Sequence, residues 1–266
     1  MQKISILLLT LLSFNTLCSC NDYVELASKG SIETPAELKG KLKKVIQFTP
    51  QGNKIVTQLS YNEEGKELVG VIISDSLAQS VVKETFTRDA DSTLIKVSIE
   101  RTIKGVKSQG SRQYEYDSNK LLIRTVEEYS EQKIVEEFGY DKDKHLIKYT
   151  RNQIQNNRPS LLQSISYKWK GGNVSAIEER GVMGYEETDF IYGSNPNNLG
   201  KVFREQIKMP VYLPEQISQN LITFQQKLFE GTRMKYEYEY NRDNRLVLQK
   251  SLVDDAVVAE LKLEYY

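Results

Sequence analysis

The sequence predicts a mainly β chain: an antiparallel meander of hairpin repeats, each about 25 residues long, curled into a barrel or half-barrel. The first observation is a recurring turn in which an aromatic, any residue, Tyr and Asp or Asn run into an apolar strand start. Tyr114-Glu-Tyr-Asp117 leads to Leu121-Leu-Ile123, Phe138-Gly-Tyr-Asp141 to Leu146-Ile147, and Tyr238-Glu-Tyr-Asn241 to Leu246-Val-Leu248. Tyr61-Asn62 reaches Leu68-Val69 in the same way, and weaker copies start at Phe86, Tyr167 and Phe190.

The second observation is the spacing. The second aromatics, with Arg88 standing in one weak copy, fall at 61, 88, 116, 140, 167, 192 and 240, and Tyr265 closes the series. Steps stay near 25 residues except for 48 between the positions at 192 and 240, which reads as a double step. The third is alternation with period two, the mark of a sheet with one buried and one wet face. Ile95, Val97, Ile99 and Ile103 oppose Lys96, Ser98, Glu100 and Thr102, while Val257, Ala259, Leu261, Leu263 and Tyr265 oppose Val258, Glu260, Lys262 and Glu264. Turn residues punctuate the runs, among them Ser108-Gln-Gly110, Asn156-Asn-Arg-Pro159, Gly171-Gly-Asn173 and Asp254-Asp255. Strands that twist and repeat this often must curl.

Taken in order, residues 1–19 read as a signal peptide: Lys3 supplies the basic start, Ile4 to Leu12 the apolar core, and Ser13 to Ser19 a small, polar approach. An apolar run of that length is too short to span a bilayer, which needs roughly twenty residues. Residues 20–44 read as a polar tether, and residues 45–266 as a single repetitive β domain. Only the step of 48 carries a helical signal. Ile217, Leu221, Phe224 and Leu228 share one helical face, Pro214 and Glu215 suit a first turn and Gly231 a stop, which predicts a helix over 215–229; two further strands are the rival reading.

Composition excludes several chemistries. Lys+Arg and Asp+Glu both count 36, so charge gives no case for nucleic acid. Cys18 and Cys20 both precede the folded part, which therefore has neither a disulfide nor a thiol nucleophile. His145 is the single histidine, so a metal site built from several histidines is excluded, and any Ser-His-Asp triad would have to use it. No P-loop, GxGxxG, CxxC or HExxH occurs, and no cofactor is expected.

Tyrosines number 16 against one tryptophan. Aromatics two apart share a strand face, so Tyr116, Tyr140, Trp169, Tyr192 and Tyr240 form a candidate aromatic binding face for a sugar or an extended chain. The alternative is that they belong to the core, since tyrosine buries its ring while its hydroxyl reaches out. The doublets Glu127-Glu128, Glu136-Glu137, Glu178-Glu179 and Glu186-Glu187 place neighbours on opposite faces, so none is a catalytic pair in itself; solvated faces with Lys and Arg partners are expected. Asp89-Ala-Asp91 and Asp141-Lys-Asp143 read as turn acids capping the backbone rather than as calcium loops, and His145 as an exposed turn residue.

The run Leu17-Cys-Ser-Cys20 resembles the lipobox of bacterial lipoproteins. That resemblance implies cleavage before Cys20 and acylation of its sulfur, with several acyl chains holding the chain on a membrane. The Tyr-x-Tyr-Asp turn is similar to the YD repeats of Rhs-type shells. With the lipobox, Asn195-Pro-Asn-Asn198 and Tyr-Leu-Pro-Glu215, residues 40–266 resemble a group of Bacteroidota-type lipoproteins of unknown function with a porin-like β fold. The resemblance implies that fold and an outer-membrane location on an undetermined side, and no site residues. Lys96, Glu100, Glu260, Lys262 and Glu264 argue against a membrane-spanning barrel, because basic groups facing lipid at the midplane cost about 2–4 kcal/mol each. Tyr266 is also out of phase with the apolar face. The expectation is a water-facing, lipid-tethered, non-catalytic envelope protein that contacts a glycan, peptide or protein partner. A scaffold without ligand is the alternative, and a carbohydrate-active enzyme a more distant one.

Overall fold

The computed structural model describes residues 40–49, 52–129, 132–182, 184–197, 200 and 213–266. The first eight strands are β1 (Leu42–Phe48), β2 (Lys54–Tyr61), β3 (Leu68–Asp75), β4 (Ser80–Arg88), β5 (Leu94–Ile103), β6 (Val106–Tyr116), β7 (Leu122–Tyr129) and β8 (Gln132–Tyr140). The second eight are β9 (Leu146–Gln155), β10 (Arg158–Lys170), β11 (Asn173–Gly181), β12 (Gly184–Pro196), β13 (Asn220–Lys227), β14 (Arg233–Tyr240), β15 (Leu246–Val253) and β16 (Ala256–Tyr265). Each pairs antiparallel with its chain neighbours, and β1 pairs with β16, so the meander closes into a barrel rather than a half-barrel. Gly40 N–H donates to the Tyr266 carbonyl and Tyr266 N–H to that of Lys41, which extends the seam by one more pair. The signal peptide, Cys20 and the tether up to residue 39 lie outside the described residues. The first strand takes in Leu42, Lys43 and Lys44, three residues ahead of the expected domain start.

Connections alternate between two ends. At one end β1–β2, β3–β4 and the other odd-to-even hairpins turn; at the opposite end lie the even-to-odd turns and the entry of the chain at Gly40. The tight turns at the first end have both central residues at positive φ: Lys104-Gly105 (48°, 79°), Asn156-Asn157 (49°, 59°) and Asp254-Asp255 (50°, 61°). Such turns match the right-handed twist of the strands they join, which is why Asn, Asp and Gly occupy them.

All sixteen strands contribute to one buried apolar cluster. Leu42, Val97, Tyr149 and Val174 are completely inaccessible. A circular section of sixteen strands would enclose an aqueous channel; here the walls come close enough for side chains to fill the space between them. The outer face is different. Arg124 meets Glu115 at 3.1 Å, Lys133 meets Glu128 at 2.9 Å, Lys168 bridges Glu178 and Glu187 at 2.8 and 3.1 Å, and Lys250 meets Glu239 at 3.0 Å. Lys83 stands opposite Glu100 in the β4–β5 ladder. Exposed pairs of this kind add little stability.

Alternation holds along most strands, with one systematic break. In β5, Leu94, Val97 and Ile99 point inward while Ile95 is bulged out and 39% exposed, so it does not share the face of Val97. In β16 a second bulge turns Val257 outward, leaving Ala259, Leu261 and Leu263 in the core. In β10 the residue equivalent to Tyr116 is Trp169, whereas Tyr167 is the core residue two places earlier.

The step of 48 is one hairpin plus an insertion at the chain-entry end. The predicted helix is reduced to α1 (Pro214–Ile217), after which Ser218 is extended and β13 begins at Asn220. The helical spacing of Ile217, Leu221, Phe224 and Leu228 is overridden by pairing with β12 and β14; Leu221-Ile-Thr-Phe224 is rich in strand formers, and a bulge at Thr223 resets the alternation. The insertion is pinned by Asn197, whose Nδ2 donates to the carbonyls of Glu215 and Ser218, and by Asn173 and Asn220, which bond to each other.

Candidate functional site

The recurring turn has a single geometric basis. At the chain-entry end a residue at or near the end of each even strand pairs with one at or near the start of an odd strand, and the next residue of that odd strand is bulged. Tyr61 pairs with Leu68, Arg88 with Leu94, Tyr116 with Leu122, Tyr140 with Leu146, Trp169 with Val174, Tyr192 with Ile222, Tyr240 with Leu246 and Tyr265 with Leu42. The bulges bend the odd strands sharply at the rim. The even strand thereby parts from the strand before it: the β5–β6 ladder starts at Lys96, and that of β7–β8 at Arg124. Leu94 and Leu122 are left with a carbonyl facing no strand partner.

The aromatic tips supply that partner. Tyr116 Oη donates to the Leu94 carbonyl at 2.8 Å, Tyr140 to Leu122 at 2.9 Å, Trp169 Nε1 to Leu146 at 2.8 Å and Tyr192 to Val174 at 2.7 Å. Tyr61 and Tyr265 do the same for Leu42 and Leu246. In β14 Tyr238 makes the contact, to Ile222, and the hydroxyl of Tyr240 has no partner among the described residues. Burial pushes the Tyr140 phenol up to about 12 and those of Tyr61, Tyr116 and Tyr192 higher still, so they stay protonated donors. The candidate aromatic face is therefore a collar closing one end of the barrel. Its members are half-buried, packed on the core and, except for Tyr240, hydrogen-bonded to backbone.

The residue after each aromatic shapes the turn. Asp117 Oδ1 accepts from the N–H groups of Asn119 and Leu121, Asp141 Oδ1 from Asp143 and His145, Asp89 Oδ1 from Asp91 and Thr93, and Asn241 Oδ1 from Asp243 and Arg245. Turn acids capping the backbone are what the spacing implied. One turn also gathers Asp141, Asp143 and His145 with their ligand atoms within 4.8 Å of one another. The His145 ring stacks on Trp169 at 4.6 Å and its Nδ1 lies 3.2 Å from Asp141 Oδ2. The backbone N–H of His145 is the main cause holding the Asp141 carboxyl below its ordinary range.

Sequence reasoning missed a polar group inside the barrel, on the side of β4–β9 away from the collar. Glu127 is 3% exposed and accepts from Nε and Nη2 of Arg112. Glu136 accepts from Thr125 Oγ1 at 2.7 Å and Tyr149 Oη at 2.8 Å, and Arg101 lies over the Tyr129 ring at 4.5 Å. Glu84 is 1% exposed, and neither carboxyl oxygen has a hydrogen-bond partner among the described residues. Burial raises its pKa; Arg112 and Arg101 oppose that, and Glu127 adds to it. The Glu127-Glu128 and Glu136-Glu137 doublets thus split: the first of each enters this cluster, and the second faces water. A usable signal was Arg112, which stands in phase with Tyr114 and Tyr116 on the core face. Carboxylates here are enclosed by arginines and tyrosines, with no nucleophile-and-base arrangement among the described residues.

No family model matches the chain, and no curated protein matches it. Among solved structures, a porin-like protein from Bacteroides uniformis aligns over 86% of this chain and 99% of its own, with a TM-score of 0.42 and 8% identity. A porin-like protein from Bacteroides vulgatus aligns over 85% and 99%, with a TM-score of 0.43 and 12% identity.

Proposed function

We propose that this chain is a lipid-anchored, non-catalytic envelope protein, a closed and filled barrel tied to the outer membrane through Cys20 that assembles with a glycan, peptide or protein partner. The observation that carries the reading is the contrast between a packed interior and a charged exterior. An interior packed at Leu42, Val97, Tyr149 and Val174 among the described residues argues against an open pore. An exterior bearing Lys83, Lys96, Glu100, Glu115, Arg124, Lys168 and Lys250 argues against contact with hydrocarbon, where basic groups cost about 2–4 kcal/mol each at the midplane. A water-facing barrel needs another hold on the envelope, and the lipobox at Leu17-Cys-Ser-Cys20 supplies one.

The scaffold reading, with no ligand at all, is favoured by one observation: the collar aromatics are committed to backbone carbonyls. Membrane fractionation with acyl labelling tests the anchor. Cys20→Ala is expected to move the protein into the soluble fraction and abolish labelling; retention with unchanged labelling overturns it. Addition of the protein to planar bilayers is expected to give no conductance steps, and discrete channels would overturn the filled-barrel reading. Crosslinking in intact cells separates the two remaining roles, because a scaffold yields no specific partner.

A further inference from the structure

Exposed apolar side chains are not spread evenly over the barrel. Among the described residues, the four large apolar side chains that are more than three-fifths exposed are Leu77 (61%), Val106 (72%), Val182 (73%) and Phe229 (66%). All four sit at tips of odd-to-even hairpins, on the rim opposite the collar, and they belong to four different hairpins. The collar-end turns are mostly polar, and the apolar residues bulged out beside them, Val69, Ile95, Ile123 and Ile147, are only 37–41% exposed.

Hydrogen bonds fix two of these tips. Asp75 Oδ1 accepts from the N–H groups of Leu77 and Ala78, both at 2.9 Å. Phe229 N–H donates to Glu186 Oε1 and Leu228 N–H to the Glu187 carbonyl, while the Phe229 ring meets Tyr185 edge-on at 5.2 Å. Cations stand on three of these four hairpins, Lys104 and Lys107 beside Val106, Arg180 beside Val182 and Arg233 on the Phe229 hairpin, and Arg158 is at the tip of the β9–β10 hairpin. Of the acids at this end, Asp75 and Glu186 are turned to backbone N–H groups, Glu230 pairs with Lys227 and Glu128 with Lys133, and Asp254 and Asp255 stand on the last hairpin. Beside the Val182 tip lies an open depression of about 450 Å³, lined by Leu161, Val182 and Tyr185, with Arg180 stacked over the Tyr185 ring at 5.3 Å.

We propose that this rim is a membrane-docking surface, with Leu77, Val106, Val182 and Phe229 entering the headgroup layer of an anionic bilayer and the flanking Lys and Arg residues meeting lipid phosphates. Apolar points ringed by cations are the composition of an interfacial contact. A protein partner needs one contiguous patch, whereas points on separate hairpins around a rim each insert independently into a fluid surface.

The proposal deepens the anchored-envelope reading and rests on it for one point, that anchor and rim meet the same bilayer. The chain enters at the collar end, and the residues from Cys20 to Gly40 span up to roughly 65–70 Å when fully extended. Strands of eight to ten residues are only about 26–33 Å long. The tether can therefore run the length of the barrel and let the far rim face the membrane that holds the lipid.

The test uses the chain from Asn21 onward, which contains the whole barrel and no lipid site, so failure of the anchor reading cannot mimic failure of this one. Sedimentation with phosphatidylglycerol–phosphatidylethanolamine vesicles is expected to pellet the protein, much less so with phosphatidylcholine or in high salt. Replacing Leu77, Val106, Val182 and Phe229 together by Ser is expected to cut the bound fraction about tenfold with an unchanged melting temperature. In a Phe229→Trp variant, vesicles are expected to shift that emission to the blue, while Trp169 at the collar does not respond. Absence of pelleting with every vesicle, or equal binding by the fourfold variant, overturns the proposal. So does a dimer in sedimentation velocity that the fourfold variant abolishes, which would make a second copy the occupant. If the fourfold variant does not fold, the emission of Phe229→Trp decides alone.

Discussion

The two ends of the barrel share the same sixteen strands and treat their polar groups in opposite ways. At the collar, the β2–β3, β6–β7 and β8–β9 turns each combine a bulge, an aromatic tip on an orphan carbonyl and an Asx cap on two N–H groups. At the other rim the turns are short, few tips are capped by their own side chains, and apolar residues stand out in water. The repeat therefore encodes architecture at one end only. Differences between copies, the usual place for function, collect at the other.

The largest expected effect breaks the collar from beneath. Leu94 is 1% exposed, precedes the bulged Ile95 and offers its carbonyl to Tyr116. Leu94→Ala removes buried methyls in a packed site and is expected to cost about 2–5 kcal/mol in urea unfolding. Val106→Ser, on a far-rim tip, is expected to stay within about 0.5 kcal/mol. Comparable losses at both positions would erase the contrast between the ends.

A second prediction concerns the polar cluster between them. Burial raises the folded pKa of Glu84 above that of an unfolded glutamate, about 4.3. Such a group contributes its stability fully below the unfolded value and loses it as pH rises toward the folded one. Wild type is therefore expected to lose about 1–3 kcal/mol relative to Glu84→Gln between pH 4.3 and neutrality, the scale of a buried unsatisfied polar group. Paired melts across that range read the difference directly. A gap of the opposite sign would mean that Arg112 holds Glu84 ionised.

The third prediction sharpens the turn rule. Asp117 Oδ1 takes two N–H groups, so Asp117→Ala is expected to cost about 1 kcal/mol, in line with losing a side-chain cap. Asn241 does the same work in its own copy, so Asp117→Asn is expected to restore most of the loss. Failure of Asn to restore it would make charge, not geometry, the reason for aspartate.

How much of this was legible follows from which forces act locally. The turn motif, the repeat near 25 residues and the strand alternation are local, and Tyr116-Asp117-Leu122 announced a hairpin correctly. Bulges were hidden, because Leu94-Ile95 reads as an ordinary apolar pair until the register with Arg88 sets one in and one out. The helix over 215–229 is cut to Pro214–Ile217 for a similar reason: strand pairing with β12 and β14 outweighs a 3.6-residue pattern that no partner supports. Glu84, Arg112 and Glu127 were illegible as a cluster, since three strands bring them together and each alone resembles a solvated strand residue. Of the candidate site residues, the alternative role of the five aromatics as core was within reach of the sequence. Their shared backbone acceptor was not, because it belongs to the neighbouring hairpin.

The smallest effect separates two tyrosines that the sequence treats alike. Tyr116 Oη holds the Leu94 carbonyl at 2.8 Å, whereas Tyr240 Oη is buried without a partner because Tyr238 has taken over the contact in β14. Removing a satisfied hydroxyl loses a hydrogen bond, so Tyr116→Phe is expected to cost about 0.5–1.5 kcal/mol. Removing an unsatisfied one loses nothing, so Tyr240→Phe is expected to be neutral or slightly stabilising. Denaturant midpoints of the two variants, compared with Tyr238→Phe as a positive control, decide the matter. Equal costs at 116 and 240 would mean that the collar hydroxyls act through something other than the orphan carbonyls. A loss of ligand binding in Tyr240→Phe without loss of stability would make that free hydroxyl the one point where the collar also recognises a partner.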